Sequence, residues 1–339
     1  MFKRLIGQRS VLVAAGVALI GLAGCGSQST SGPASSSFPK LSLRINHGIT
    51  ADSYEGQALD YFAKRVSDLT GGQVTVQVFH NAQLGDDEQS LTEVQTGTLD
   101  MSLDSLYENA VTAGTVFDLP FLFPDEATWA KAVTGKPGQL VKNSATGASL
   151  HLLGLWMGGW RDEYGNRPLH SIDDFKGLKI RTIQVKAYVK LFSAIGAVST
   201  PMPFSQVYLA LQQHTIDAAE TDLQSMYSAK QYEVVKYASR THHGLSTVGL
   251  IVNQQRWDGL PQNVRNVLQQ AESDAFKMDL QKYDQVNDQV QQQLEAKGIT
   301  FTKVDTAPIR AIAKSQVYPE IVTDATQNQV LQAVENLSS

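Results

Sequence analysis

LSLRINHGITADSYEGQALDYFAKRVSDLTGGQVTVQV, residues 41–78, holds the pattern on which the fold turns. Leu41 to Ile45 alternates apolar and polar residues as a strand does, and turn-like sequence follows from Asn46 to Ser53. Leu59, Phe62, Val66 and Leu69 then fall at spacings of three, four and three, which places them on one helical face. Gly71-Gly72 closes that helix, and Val74, Val76 and Val78 alternate with Thr75 and Gln77 as a second strand. Strand, helix, strand in this order implies parallel pairing, because a parallel neighbour needs a crossover of about a dozen residues or more. The fold class read from this stretch is α/β.

The same alternation continues downstream. A second helix is expected from Asp86 to Thr96 and a short strand from Leu99 to Leu103. Gly177 to Arg181 reads as another strand, followed by a helix marked by Val185, Tyr188, Phe192 and Ile195 and closed by Gly196. Ser205 is placed to cap a helix running to Gln213, and Leu250 to Asn253 reads as a strand crossing back. From Pro261 to Lys297 runs a long, Gln-rich helix with Val264, Leu268, Ala271, Leu280, Tyr283, Val290 and Leu294 on its apolar stripe. No repeat with a period of 20–50 residues breaks this order. Two α/β lobes joined by crossing connections leave a cleft between them, and the long helix supports both.

Composition closes off several classes of function. The chain has 339 residues, 42% hydrophobic and 18% charged, which provides a core and argues against disorder. Its formal charge is −5 and it carries no long basic stripe, so nucleic acid is not an expected partner. The only cysteine is Cys25, which rules out an intrachain disulfide and a cysteine-based metal cluster.

That cysteine ends a recognisable leader. Lys3, Arg4 and Arg9 precede the apolar run Val11–Leu22, shorter than the roughly 20 residues a bilayer span needs but right for a signal-peptide core. Leu22-Ala23-Gly24-Cys25 resembles a bacterial lipobox, in which the thiol is acylated and becomes the new N-terminus. An ordinary secretory signal that happens to contain a cysteine is the plainer alternative. Residues 1–24 are thus expected to be a lipoprotein signal peptide, and 25–37 a Ser-rich linker after lipidated Cys25. Several acyl chains hold a protein on a bilayer far more firmly than one. Removal of the leader takes away three basic residues and moves the charge from −5 to −8.

Catalytic signatures are mostly missing. There is no His-Glu-x-x-His, no phosphate loop and no dinucleotide-binding glycine motif. Gly244 to Gly249 misses a nucleophile elbow by one residue. His242 and His243 are neighbours, so on a strand they point to opposite faces and do not share a metal. Asp86-Asp87-Glu88 opens a helix, where carboxylates favour the dipole, and capping explains it better than a metal or acid pair. No catalytic residue, metal or cofactor is expected. Two basic residues stand out instead. Arg181 ends a short strand, and Arg161 follows Trp160. A planar guanidinium grips a carboxylate with two parallel hydrogen bonds, and strand ends face the ligand crevice in open α/β sheets.

Several segments together point to one family. They are Phe62-Ala63-Lys64-Arg65-Val66 leading to Thr70-Gly71-Gly72, Gln83-Leu84-Gly85-Asp86-Asp87-Glu88, Val94 to Met101, and Phe117-Asp118-Leu119-Pro120-Phe121-Leu122-Phe123. Asp173 to Arg181, Pro203 to Gln212, and Asn253 with Trp257 to Pro261 continue the series in order. From about residue 41 to 325 the chain resembles the solute-binding proteins of tripartite ATP-independent periplasmic (TRAP) transporters. The resemblance implies a two-lobed periplasmic-binding-protein-like fold, with residues 38–158 plus about 247–286 as one lobe and 159–246 plus about 287–339 as the other. It implies that Arg181 forms the main salt bridge to a ligand carboxylate, that Arg161 also touches it, and that Phe204 lines the pocket. First-lobe loops of the family fall near Asn46 and His47 and near Asp104. Where relatives carry Asp-Gly-Gln-Glu-Asn, this chain reads Asp217-Ala218-Ala219-Glu220-Thr221, so Thr221 replaces a ligand-binding Asn and Glu220 becomes a further candidate contact. The implied partners are a small organic acid, the small and large TRAP membrane subunits, and the bilayer through the Cys25 acyl chains. The implied location is the extracytoplasmic face of a bacterial envelope. The same fold serving an ATP-driven importer or a sensor kinase is the near alternative, and a lipid-anchored enzyme using acids around Glu220 and Asp222 the remote one.

Overall fold

The computed structural model describes residues 38–337. Residues 1–37, on which the expected signal peptide, the expected linker and Cys25 fall, lie outside the described residues. Leu41–His47 (β1) pairs in parallel with Val74–Phe79 (β2) and with Met101–Asp104 (β3), as the strand–helix–strand pattern requires. The intervening helix, Tyr54–Thr70, starts where the Ser53 hydroxyl accepts the Gly56 N–H at 2.9 Å, and ends at Gly71 in the left-handed region. Its apolar face, Leu59, Phe62 and Val66, is fully buried against β1 and against Val264 and Leu268 of the long helix. Asp86 caps the helix Asp87–Thr96 by accepting the Gln89 N–H at 3.1 Å.

The remaining strands are Leu150–Gly165 (β4), Lys179–Thr182 (β5), Val198–Pro201 (β6), Ala218–Asp222 (β7), Tyr237–Asn253 (β8) and Thr300–Lys303 (β9). The described strands form one sheet in the order β2-β1-β3-β8-β4-β7-β5-β6, with β9 on β8. The antiparallel pair β4 and β8 is the feature that the local pattern does not reveal. Only Leu250–Asn253 of the 17-residue β8 reads as a strand, and β4 does not read as one at all. Both strands run unbroken from the β1–β3 end of the sheet to the β5–β7 end, so the passage between lobes lies within strands and not in a linker. Ser205 provides no side-chain cap; Phe204–Gln206 forms a 3₁₀ turn that leads into the short helix Val207–Gln212.

β4 bends at Gly158-Gly159, where its register with β8 shifts between Met157 and Trp160. A bulge frees backbone N–H groups, and the long helix Gln262–Ala296 satisfies them. Asp279 accepts the Met157 N–H at 3.0 Å, and the Tyr283 hydroxyl accepts the Trp160 N–H at 3.2 Å. After β9 the chain does not stay with the second set of strands. The C-terminal helix Ala325–Glu335 lies against helix Lys136–Ser144 and the turn Thr112–Val116, with Gln327 donating to the Thr112 carbonyl. Lys190 of the helix Lys186–Ala194 pairs with Glu320, which ties the same segment to the helix after β5.

Candidate ligand-binding site

β7 wires the site together. Its register sets Arg161 of β4 opposite Asp222 and Glu163 opposite Glu220, while parallel β5 brings Arg181 beside Ala219. Both guanidinium groups therefore reach Glu220. Arg161 donates from Nε to Glu220 Oε2 and from Nη2 to the Glu220 carbonyl at 3.1 Å. Arg181 donates from Nη1 to the same carbonyl at 3.2 Å and from Nε to the Met202 carbonyl at 3.0 Å. Glu220 Oε1 accepts the Ile183 N–H at 2.7 Å. His243 stands behind, its Nε2 3.5 Å from Glu220 Oε2 and its Nδ1 3.1 Å from Glu163 Oε1.

The charges in this cluster do not balance. Burial raises a carboxyl pKa, but at Glu220 the Arg161 charge and hydrogen bonds from His243 and Arg161 outweigh it and hold the group at about 2. At His243 burial favours the neutral ring, and the charge of Glu163 overcomes it, pushing the imidazole up to about 9. The two arginines respond in opposite senses. At Arg161 burial is outweighed by pairing with Glu220 and the pKa rises; at Arg181 burial prevails and the pKa falls. The difference follows from distance, since Arg181 Nη1 is 3.9 Å from Glu220 Oε1 and makes no close carboxylate bond. A guanidinium stays charged regardless. Arg161 and His243 are thus paired at close range with Glu220 and Glu163, while Arg181 has no close carboxylate, Glu220 and Asp87 acting on it only from further off.

A cleft opens in front of that cation. Arg161, Arg181, Phe204 and Thr221 all line it. The Arg181 guanidinium lies 5.9 Å from the Phe204 ring centroid and that of Arg161 5.4 Å from Tyr188, so aromatic faces hold both in place. Three candidates sit one layer back. Glu220 is fully buried as the counter-ion just described. His47 is 3% exposed, and burial followed by the neighbouring His80 lowers its pKa to about 3, so it stays neutral. Asp104 is fully buried and accepts the Leu106 N–H at 2.7 Å. The loops that these residues begin do reach the cleft, through Gly48 and Ile49 after β1 and Ser105 and Leu106 after β3.

Sequence reasoning missed several lining groups. Glu55 and Asp87 line the cleft from the first-lobe side; Asp222, which the sequence does single out beside Glu220, lines it from the end of β7. Asp87 was read together with Asp86 as part of a helix cap, yet only Asp86 caps the helix, and the offset between two adjacent acids was the signal available. Across the mouth, Gln184 Nε2 donates to Glu88 Oε2 at 2.8 Å, joining the segment after β5 to the helix after β2.

Residues 45–323 match the model of the bacterial extracellular solute-binding proteins, family 7. The chain belongs to this family. Among curated relatives, the 2,3-diketo-L-gulonate-binding periplasmic protein of Escherichia coli is 30% identical over 307 residues, 89% of this chain and 94% of the relative. The C4-dicarboxylate-binding periplasmic protein of Rhodobacter capsulatus is 32% identical over 282 residues, 82% of this chain and 84% of the relative. The sugar acid binding protein of Advenella mimigardefordensis, solved with galactonate, superposes with a TM-score of 0.84 at 27% identity, over 88% of this chain and 99% of that one. The fold is that of TRAP periplasmic solute-binding proteins, and membership makes this family member an extracytoplasmic binding protein.

Proposed function

We propose that the protein captures a small organic acid by its carboxylate and delivers it to the small and large membrane subunits of a TRAP system, without chemical change to the ligand. The reading rests on one observation above all: Arg181 is a buried cation, 2% exposed, that lines the cleft with less than a full counter-charge. A ligand carboxylate supplies the missing anion, forked by Arg181 and assisted by Arg161. Thr221, where relatives carry Asn, offers one donor in place of an amide's two and leaves the grip to the arginines. The ligands of the relatives described above, a diketogulonate, a C4-dicarboxylate and a galactonate, are all carboxylates. Acylation of Cys25 holds the protein at the membrane surface in this reading, and the Ser-rich linker gives it reach. The two lobes are those bounded near 158/159 and 246/247, with ligand held between them.

Thermal denaturation against a library of sugar acids, keto acids, dicarboxylates, amino acids and neutral sugars tests the proposal. Binding to the native state raises Tm by mass action. A shift confined to carboxylates and lost in Arg181→Ala is the expected result. A shift from neutral sugars alone overturns it, as does recovery of a converted product from the bound fraction.

A further inference from the structure

The cleft has a second pole, opposite in sign to the arginines. Glu55, on the first turn of helix Tyr54–Thr70, is 4% exposed, lines the cleft, and has an Oε2 that meets no hydrogen-bond partner among the described residues. Asp87 lines the same side; it accepts a long bond from the Ser105 N–H, at 3.4 Å, and a bond from the Ser105 side chain, and it fills the space in which Gly48 has no side chain. Asp222 closes the row, with Oδ1 accepting the Ser225 N–H at 2.9 Å. Lysine and histidine are absent from the residues lining the cleft. Burial, then mutual repulsion with Asp222 and Asp279, pushes Glu55 well above the usual carboxyl range, and burial raises Asp87 and Asp222 as well. Glu55 thus holds a buried carboxyl oxygen in need of a donor, beside two further carboxyl groups that accept.

Resting on the organic-acid reading above, we infer that Glu55, Asp87 and Asp222 form an acceptor wall that selects a monocarboxylate bearing hydroxyl or other donor groups at its far end, and that this wall turns away a second carboxylate. A hydroxyl donates to a carboxyl oxygen whether or not that group carries a proton. A second ligand carboxylate only accepts, and at that end of the cleft it meets acids and no lysine or histidine, so it is buried without a counter-charge. Specificity of this kind is built against the wrong ligand as much as for the right one.

Matched pairs isolate the effect: galactonate with galactarate, and erythronate with tartrate, each pair differing by oxidation of the terminal CH₂OH to carboxylate. Calorimetric titration of the wild type in neutral buffer is expected to favour the monocarboxylate of a pair by at least about 30-fold. Glu55→Gln, which keeps shape and adds a donor, is expected to narrow that ratio by about 10-fold. Asp87→Asn is the second variant should Glu55→Gln melt early. Equal or tighter binding of the dicarboxylates overturns the acceptor wall while leaving the organic-acid reading in place. Binding of none of the four, together with no carboxylate response in the thermal screen, overturns the organic-acid reading and the wall with it.

Discussion

Arg181→Ala removes the one buried cation that faces the cleft without a close protein carboxylate, so its effect falls on the ligand more than on the fold. Loss of one partner of a buried charge pair costs roughly 2–5 kcal/mol, which weakens binding about 30-fold to several thousand-fold; titration of a ligand found in the thermal screen measures it. Arg181→Lys is expected to recover little, since an ammonium lacks the planar fork. His243 behaves differently because its charge serves the native state itself. Its folded pKa, about 9, lies above the ordinary histidine value of 6.5, so the native form binds more protons than the unfolded chain between those values. Its stabilising contribution is full below pH 6.5 and is lost as the pH rises through 9. Urea midpoints across that window should fall for the wild type and fall less for His243→Gln; parallel slopes for the two proteins would refute the assignment. The arginines were legible through the family pattern; taken alone, residue type and strand-end position leave each of them more readily a surface charge. Glu55, Asp87 and His243 were not, because a lone charge beside a cap or within a strand looks like a solvated one until β7 and the first-lobe loops are brought together.

At the scale of elements, β4 explains both what local pattern reading reaches and where it stops. Parallel strands β1, β2 and β5 sit beside helices with clean 3.6-residue stripes, and short-range periodicity finds them. β4 carries glycines at its middle and Arg161, Asp162 and Glu163 within its second half, a composition that reads as loop. It is a strand because distant partners pay the charges back: Glu220 for Arg161, His243 for Glu163, and Arg240, 2.9 Å away, for Asp162. Gly159 sits at the bend with φ +78°, and a Cβ there would lie 2.8 Å from the Asp222 Cβ and 3.1 Å from the Tyr54 hydroxyl. Gly159→Ala is therefore expected to cost about 1–3 kcal/mol and to lower Tm by roughly 2–4 °C per kcal/mol. It should also weaken ligand binding, because Asp222 lines the cleft; an unchanged Tm and affinity in calorimetry would show that the bend tolerates a side chain.

For the whole molecule, the contact between Gln184 and Glu88 ties the halves together across the mouth of the cleft. A single hydrogen bond to a charged group contributes about 1.5–3 kcal/mol when shielded and less at an exposed position such as this one. Gln184→Ala is thus expected to speed ligand release by roughly 3–10-fold while leaving association within about 3-fold, since changes at one interface appear mainly in koff. Stopped-flow measurement with a fluorescent or competed ligand separates the two rates, and a change confined to association would refute the latch. The pair of strands beneath this mouth carries a mechanical consequence. Two ribbons laced edge to edge resist shear in their own plane and yield to bending out of it, as a leaf spring does. Where the chain crosses within β4 and β8, any movement of one half against the other is expected to bend that pair at the register shifts of β4, so the stiffness of the spring, as well as the walls of the cleft, bears on the size of cargo the protein encloses.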